Sequence, residues 1–178
     1  NNERMPIDLY VLSCYSFNYQ FRFNSNHEYN NPFGRNRSQF SESMRNNLIK
    51  FVTKLHTSDI SFTTKDFVDF EIDDLNAGDF IYCDPPYIIT TGSYNDGNRG
   101  FKDWGIDEEQ QLYDFLDKAN EKGIRFAFSN VLEHKGKTNN MLIEWSQKYK
   151  IIDINRDYSN SSYNTGRGQS REVLIINY

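Results

Sequence analysis

The chain has 178 residues, enough for one hydrophobic core and too few for two full-sized domains. No apolar run approaches the roughly 18 residues that span a bilayer, and NNERMPIDLY lacks the basic-then-apolar order of a signal peptide, so a cytoplasmic protein without a membrane partner is expected. The net charge of −5 is unevenly spread: residues 1–57 hold seven Lys and Arg against four Asp and Glu, a balance of +3, and residues 58–178 hold thirteen against twenty-one, a balance of −8, so the N-terminal part is the better candidate for phosphate contact.

From Tyr15 to Phe40 the sequence is dense in Asn, Phe, Tyr and Arg without a helical period. Phe17, Tyr19, Phe21 and Phe23 alternate with Asn18, Gln20, Arg22 and Asn24, the period of a half-exposed strand whose polar side is a row of hydrogen-bonding groups. Met44, Leu48, Phe51, Val52 and Leu55 then recur at helical spacing behind Ser41, which predicts a capped helix that packs through one face. Asp59–Phe62 is a strand candidate, and Phe80–Cys83 reads as a buried strand. Asp107 with Gln110 fits a capping box, Leu112, Phe115, Leu116 and Ala119 form one helix face, Lys118 and Lys122 suit the helix end, and Gly123 stops it. Ile124–Phe128, Ile151–Ile154 and Val173–Ile176 read as strands, with a helix marked by Met141, Leu142, Trp145 and Tyr149 among them. Short apolar runs alternating with amphipathic helices predict an α/β fold, a sheet crossed by helices. The two cysteines, Cys14 and Cys83, and the three histidines, His27, His56 and His134, match no metal-ligand spacing, so neither a disulfide nor a metal is expected.

Asp84-Pro85-Pro86-Tyr87 directly follows the Phe80–Cys83 strand, and ligands of open α/β sheets bind at the carboxyl ends of strands. Two prolines in succession fix two φ angles and remove two N–H donors, leaving an acceptor-rich corner beside an aromatic ring. Asp84 and the Pro85 carbonyl can each accept one N–H bond from a planar amine while Tyr87 stacks on its ring, an arrangement that suits the exocyclic amine of adenine. Held this way, the amine nitrogen becomes nucleophilic toward a sulfonium methyl without a prior general base or a metal. Taken alone, Asp-Pro-Pro-Tyr is also a tolerable turn sequence.

The longer run DFIYCDPPY, with FTTKDF upstream and NTGRGQSREVLIINY downstream, resembles Dam-type N6-adenine DNA methyltransferases, and the likeness extends over essentially all 178 residues. CYSFNYQFRFNSNHEYNNPFGRN resembles the family's target-recognition segment, FTTKDF its third cofactor motif and DPPY its catalytic motif. The resemblance implies S-adenosylmethionine as methyl donor, duplex DNA as partner and a flipped-out adenine as target. It implies a partial Rossmann-like methyltransferase fold with an inserted recognition segment, residues 1–57 carrying a helix and that segment and residues 58–178 the C-terminal part of the catalytic domain. Carried over residue by residue, Asp84, Pro85, Pro86 and Tyr87 are catalytic, with Asp84 also beside the cofactor. Asp66 and Phe67 hold the cofactor's adenine, and Asn18, Gln20, Arg22, Asn24 and Pro32 lie in the DNA-reading segment. Arg35 and Arg37 suit phosphate contacts. The alternative for Asp66 is a helix cap, and for the arginines solvated surface groups.

The family's lysine-containing segment, its Phe-x-Gly-x-Gly turn and the acidic residue for the cofactor ribose have no counterpart in the sequence. An N-terminal segment, in cis or in trans, is therefore expected to complete the pocket. The 178 residues alone are expected to bind S-adenosylmethionine too weakly for micromolar saturation. Two other functions fit the residues: a DNA-specificity module without catalysis, and a methyltransferase for RNA or a protein amide.

Overall fold

The computed structural model describes residues 5–24, 26, 28–36, 38–90, 104–154 and 170–178. They form two units, one of residues 5–64 and one of residues 65–90, 104–154 and 170–178.

The first unit opens with α1, Pro6–Tyr15, whose proline occupies the first turn, where its missing N–H costs nothing. Asp8 closes that turn by accepting the Met5 N–H at 3.2 Å. The expected strand over Phe17–Phe23 does not form. Phe17–Tyr19 is a single 3-10 turn, and Asn18 and Tyr19 hold φ of 57° and 55°, a left-handed pair that breaks the two-residue alternation. What remains is a sparse hairpin, bridged at Ser16 to Phe33 and at Phe23 to Tyr29. Asn31 ties its arms together, Nδ2 donating to the carbonyls of Phe17 at 3.2 Å and Gln20 at 2.8 Å. Gly34 is required at its closing end, because a Cβ there would lie 2.6 Å from Ser38 Cβ and 2.8 Å from the Ser16 carbonyl. The helix α2, Glu42–His56, forms as expected, and the Met44 N–H donates to Ser41 Oγ at 3.2 Å. Its expected packing face is a correction: no residue of α2 is buried, and Phe51 and Val52 are 59% and 40% exposed. Residues 59–62 form no strand.

The second unit is a mixed α/β layer. Its elements are β1 (Phe80–Cys83), α3 (Ile106–Glu121), β2 (Arg125–His134), β3 (Lys137–Thr138), α4 (Asn140–Ser146), β4 (Lys150–Asp153) and β5 (Ser170–Ile176). The sheet runs β1-β2-β5-β4, with β3 folded back on β2 through Lys135 and Gly136, both at positive φ as a tight hairpin requires. β1 and β2 are parallel, whereas β5 runs antiparallel to both β2 and β4. β1 stands at the end of this order with Phe80 and Tyr82 more than half exposed.

The α3 N-terminus differs from its expected form. The helix starts at Ile106, and the reciprocal contact is made by Glu108, whose carboxylate accepts the Gly105 N–H at 3.0 Å, rather than by Asp107 and Gln110. Gly123, at φ 71°, ends the helix as expected. The core lies between α3, α4 and β2. Trp145 stacks on Tyr113 at 4.4 Å and meets Phe128 edge-on at 5.6 Å, geometries that suit ring quadrupoles. Asp117 fastens α3 to α4 by accepting from Trp145 Nε1 at 3.0 Å and Tyr149 Oη at 2.6 Å. No helix among the described residues is long and apolar enough to cross a membrane.

Candidate active site and DNA-reading segment

In the second unit the pairing of β1 with β2 ends at Cys83 opposite Phe128. Neither Pro85 nor Pro86 has an N–H to continue the ladder, so the chain leaves the sheet at Asp84. It turns over residues 87–90, where the Thr90 N–H donates to the Tyr87 carbonyl at 2.8 Å. Asp84 is exposed at this strand end, with Pro85, Pro86 and Tyr87 half-buried. Tyr87 Oη donates to Asp84 Oδ1 at 2.9 Å and lies 3.0 Å from Ser129 Oγ. Burial pushes the Tyr87 phenol above its ordinary range; the Ser129 hydrogen bond opposes that shift and Asp84 adds to it. The hydroxyl therefore keeps its proton at neutral pH and acts as a donor. The tetrad is thus gathered into one corner, together with a serine 42 residues further along the chain.

Cys83, beside this corner, has its thiol pushed up to about 11 by burial, from an ordinary 9.0. At pH 8 roughly one thiol in a thousand is then ionised. Iodoacetamide should therefore leave Cys83 unmodified in the folded protein and label it on unfolding, as peptide mass spectrometry would record. The same shift carries a stability term that is fully present below pH 9.0 and lost as the pH rises through about 11, because the folded state binds this proton more tightly.

Asp66 caps a one-turn 3-10 helix, Phe67–Asp69, by accepting the Val68 N–H at 3.3 Å, so the capping role open to it in the sequence is taken up. The Phe67 ring sits 5.8 Å from Trp104 and 6.4 Å from Phe115, an aromatic group on the α3 side of the same unit. A carboxylate followed by a held ring supplies an acceptor and a π-face, which fits the amine and ring of an adenine.

The residues expected to read DNA lie in the first unit. Arg22 and Arg35 are exposed, as are Gln20 and Pro32, and Asn18 is half-buried in its left-handed turn. Asn24 has a structural task at the hairpin tip: its Oδ1 accepts the N–H groups of Asn26 at 2.9 Å and Glu28 at 3.0 Å, and its Nδ2 donates to Glu28 Oε2 at 2.8 Å. The Arg22 and Pro32 carbonyls accept from Asn30 and Phe17 at 2.7 and 2.8 Å, so the backbone behind these side chains is held. Arg37 lies outside the described residues. Among the described residues no group of three or more His, Cys, Asp or Glu is placed to hold a metal.

Two residues of the second unit escaped sequence reasoning. Ser129 gave no signal, being one hydroxyl in an apolar strand. Glu109 is fully buried and accepts three bonds, from Trp104 Nε1 at 2.6 Å, Tyr113 Oη at 2.8 Å and Asn130 Nδ2 at 2.9 Å. It precedes Leu112, Tyr113, Leu116 and Ala119 at helical spacing, and that position on the buried stripe was the signal available.

The chain is 58% identical over 178 residues to the type II methyltransferase M.FokI of Planomicrobium okeanokoites, covering all of this chain and 28% of that relative. It is 57% identical over 180 residues to the modification methylase StsI of Streptococcus sanguinis, again covering 28% of the relative. A DNA adenine methylase of Haemophilus influenzae is 29% identical over 176 residues, 98% of this chain and 57% of that protein. The chain thus spans little more than a quarter of the length of the first two relatives. The family model of D12 class N6 adenine-specific DNA methyltransferases matches residues 1–160, and the chain belongs to that family.

Proposed function

We propose that these residues carry the catalytic corner and the DNA-reading segment of an enzyme that methylates N6 of adenine in duplex DNA. The observation that carries the reading is the Asp-Pro-Pro-Tyr corner at the end of β1, where a carboxylate and a tyrosine are hydrogen-bonded to each other. The target amine lies inside the duplex, so the adenine swings out to reach Asp84 and stacks on Tyr87. Asp84 and the Pro85 carbonyl accept the two N–H groups, which localises the lone pair on nitrogen and points it outward. S-adenosylmethionine supplies the electrophilic methyl, held at its adenine end by Asp66 and Phe67 and near its reacting end by Asp84. In this reading the second unit is part of a Rossmann-like methyltransferase fold, the segment within residues 1–57 is inserted into it, and polypeptide outside these residues supplies the rest of the cofactor pocket.

The test is to incubate the full-length protein with S-adenosylmethionine and duplex DNA, digest the DNA and measure N6-methyladenine by mass spectrometry. Methylation of RNA or of protein amides in its place would refute the reading. Within the reading segment, Arg22→Ala is expected to relax preference at one base pair by about 1–3 kcal/mol, the value of a bidentate contact to a base edge. Methylation rates on a set of singly substituted duplexes would check this, and equal weakening on every duplex would make Arg22 a phosphate contact.

A further inference from the structure

We propose that Ser129 is a positioning residue for methyl transfer, its hydroxyl holding Tyr87 so that Asp84 meets the target amine through one defined oxygen. The inference rests on the reading of Asp84 and Tyr87 as the catalytic corner.

The direction of the protons follows from the groups present. Tyr87 Oη is 2.9 Å from Asp84 Oδ1 and 3.0 Å from Ser129 Oγ. A phenol has a single proton and a carboxylate only accepts, so the Tyr87 proton goes to Asp84. Ser129 must then donate to the Tyr87 oxygen. The result is a one-way chain, Ser129 to Tyr87 to Asp84, in which each bond polarises the next. Asp84 Oδ1 is engaged by Tyr87, which leaves Oδ2 as the less occupied oxygen to meet the amine. The tyrosine is also tethered at its far end, which fixes the plane of the ring on which the adenine stacks.

The strand holds Ser129 for this task. Ser129 is 8% exposed and pairs with Leu174 of β5, while the neighbouring Phe128 pairs with Cys83 of β1. Asn130, with no exposed surface, donates to Glu109 on α3. Side chains alternate along a strand, so Phe128 and Asn130 face the α3 side and Ser129 points to the other face, where Tyr87 Oη lies.

The test is a double-mutant cycle in the full-length protein, using Ser129→Ala, Tyr87→Phe and the pair, with Ser129→Cys as a variant of nearly native volume. Ser129→Ala is expected to lower kcat about tenfold, with KM for DNA and for S-adenosylmethionine within about twofold. Ser129→Cys should lose nearly as much, because a thiol is a weak donor. In the Tyr87→Phe background the serine substitution should add less than about twofold, since the oxygen it serves is gone. Near-native kcat in both serine variants, or losses that multiply across the cycle, would overturn the assignment while leaving the methyltransferase reading intact. A wild-type protein that forms no N6-methyladenine would instead remove that reading and this inference with it.

Discussion

Asp84→Ala in the full-length protein is expected to lower methyl transfer by about two to three orders of magnitude while duplex affinity stays within a few fold. The magnitude is that of removing one preorganised polar group aimed at a reacting atom. The separation of the two effects has a geometric cause. Asp84 is a carboxylate at the end of β1, hydrogen-bonded to Tyr87, and a negative group contributes nothing to holding phosphates. Its loss also leaves Tyr87 Oη without its Asp84 acceptor, so the ring proposed to receive the adenine loses one of two tethers. Asp84→Asn retains a carbonyl oxygen that accepts one bond, from the amine or from Tyr87 but not from both in the native arrangement, and is expected to lose less than the alanine variant. Single-turnover methylation and fluorescence anisotropy on the same duplex separate chemistry from binding. Turnover near wild type in the alanine variant would rule out this corner as the reaction centre.

The Asp84–Tyr87 corner was legible because its sequence contains its own geometry. An apolar run names the strand, although Phe80 and Tyr82 prove exposed at the end of the sheet rather than buried as expected, and two prolines name the place where it must end. The helices α2 and α3 were equally plain, since apolar residues three and four apart leave little choice. The reading segment was not. Its four alternating aromatics state the period of a strand, yet Asn18 and Tyr19 adopt left-handed φ, which no count of apolar and polar residues detects. Asparagine is the residue that tolerates this conformation, and the hairpin instead depends on asparagine side chains, Asn24 at its tip and Asn31 between its arms. The α3 start was misplaced by two residues for a related reason: glycine at the cap offers no side chain to recognise, so the acidic run behind it was read in the wrong register.

Partners distant in sequence were the second kind of information out of reach. Ser129 meets Tyr87 only because β1 and β2 pair in parallel with Cys83 opposite Phe128, a register that no local pattern specifies. The acidic residues Asp107, Glu108 and Glu109 all suit the positive end of a helix dipole, so charge alone does not separate the one that is buried from the two that are not, and only the helical spacing of Glu109 to Leu112, Tyr113 and Leu116 does. The fold divides them sharply: Glu108 serves the Gly105 N–H, and Glu109 turns inward to join α3 to β2.

That inward carboxylate should be the most costly polar side chain to remove. Glu109→Ala leaves Trp104 Nε1, Tyr113 Oη and Asn130 Nδ2 without their common acceptor, inside a region where Glu109, Tyr113 and Asn130 have no exposed surface. Each buried donor left unmatched costs about 1–3 kcal/mol, and the removed side chain adds a cavity, so a local destabilisation of about 3–5 kcal/mol is expected. Burial first, and then the Glu109 charge and hydrogen bond, hold the Tyr113 phenol far above its ordinary range, so in the native protein Tyr113 is protonated and donates to Glu109. Glu109→Gln discriminates this network from simple packing, because it keeps the volume and changes only the chemistry. Its amide oxygen can replace Oε1, which accepts from Tyr113 and Asn130, but its NH2 then faces the Trp104 N–H, donor against donor. The expected cost is about 1–3 kcal/mol, confined to the Trp104 side. Amide hydrogen exchange of the full-length protein reads these values locally: protection of α3 and β2 should fall by about two to four orders of magnitude in the alanine variant and by about one to two in the glutamine variant. Equal protection in wild type and Glu109→Ala would show that packing alone fastens α3 to the strand carrying Ser129, and that the buried carboxylate has no part in holding the site.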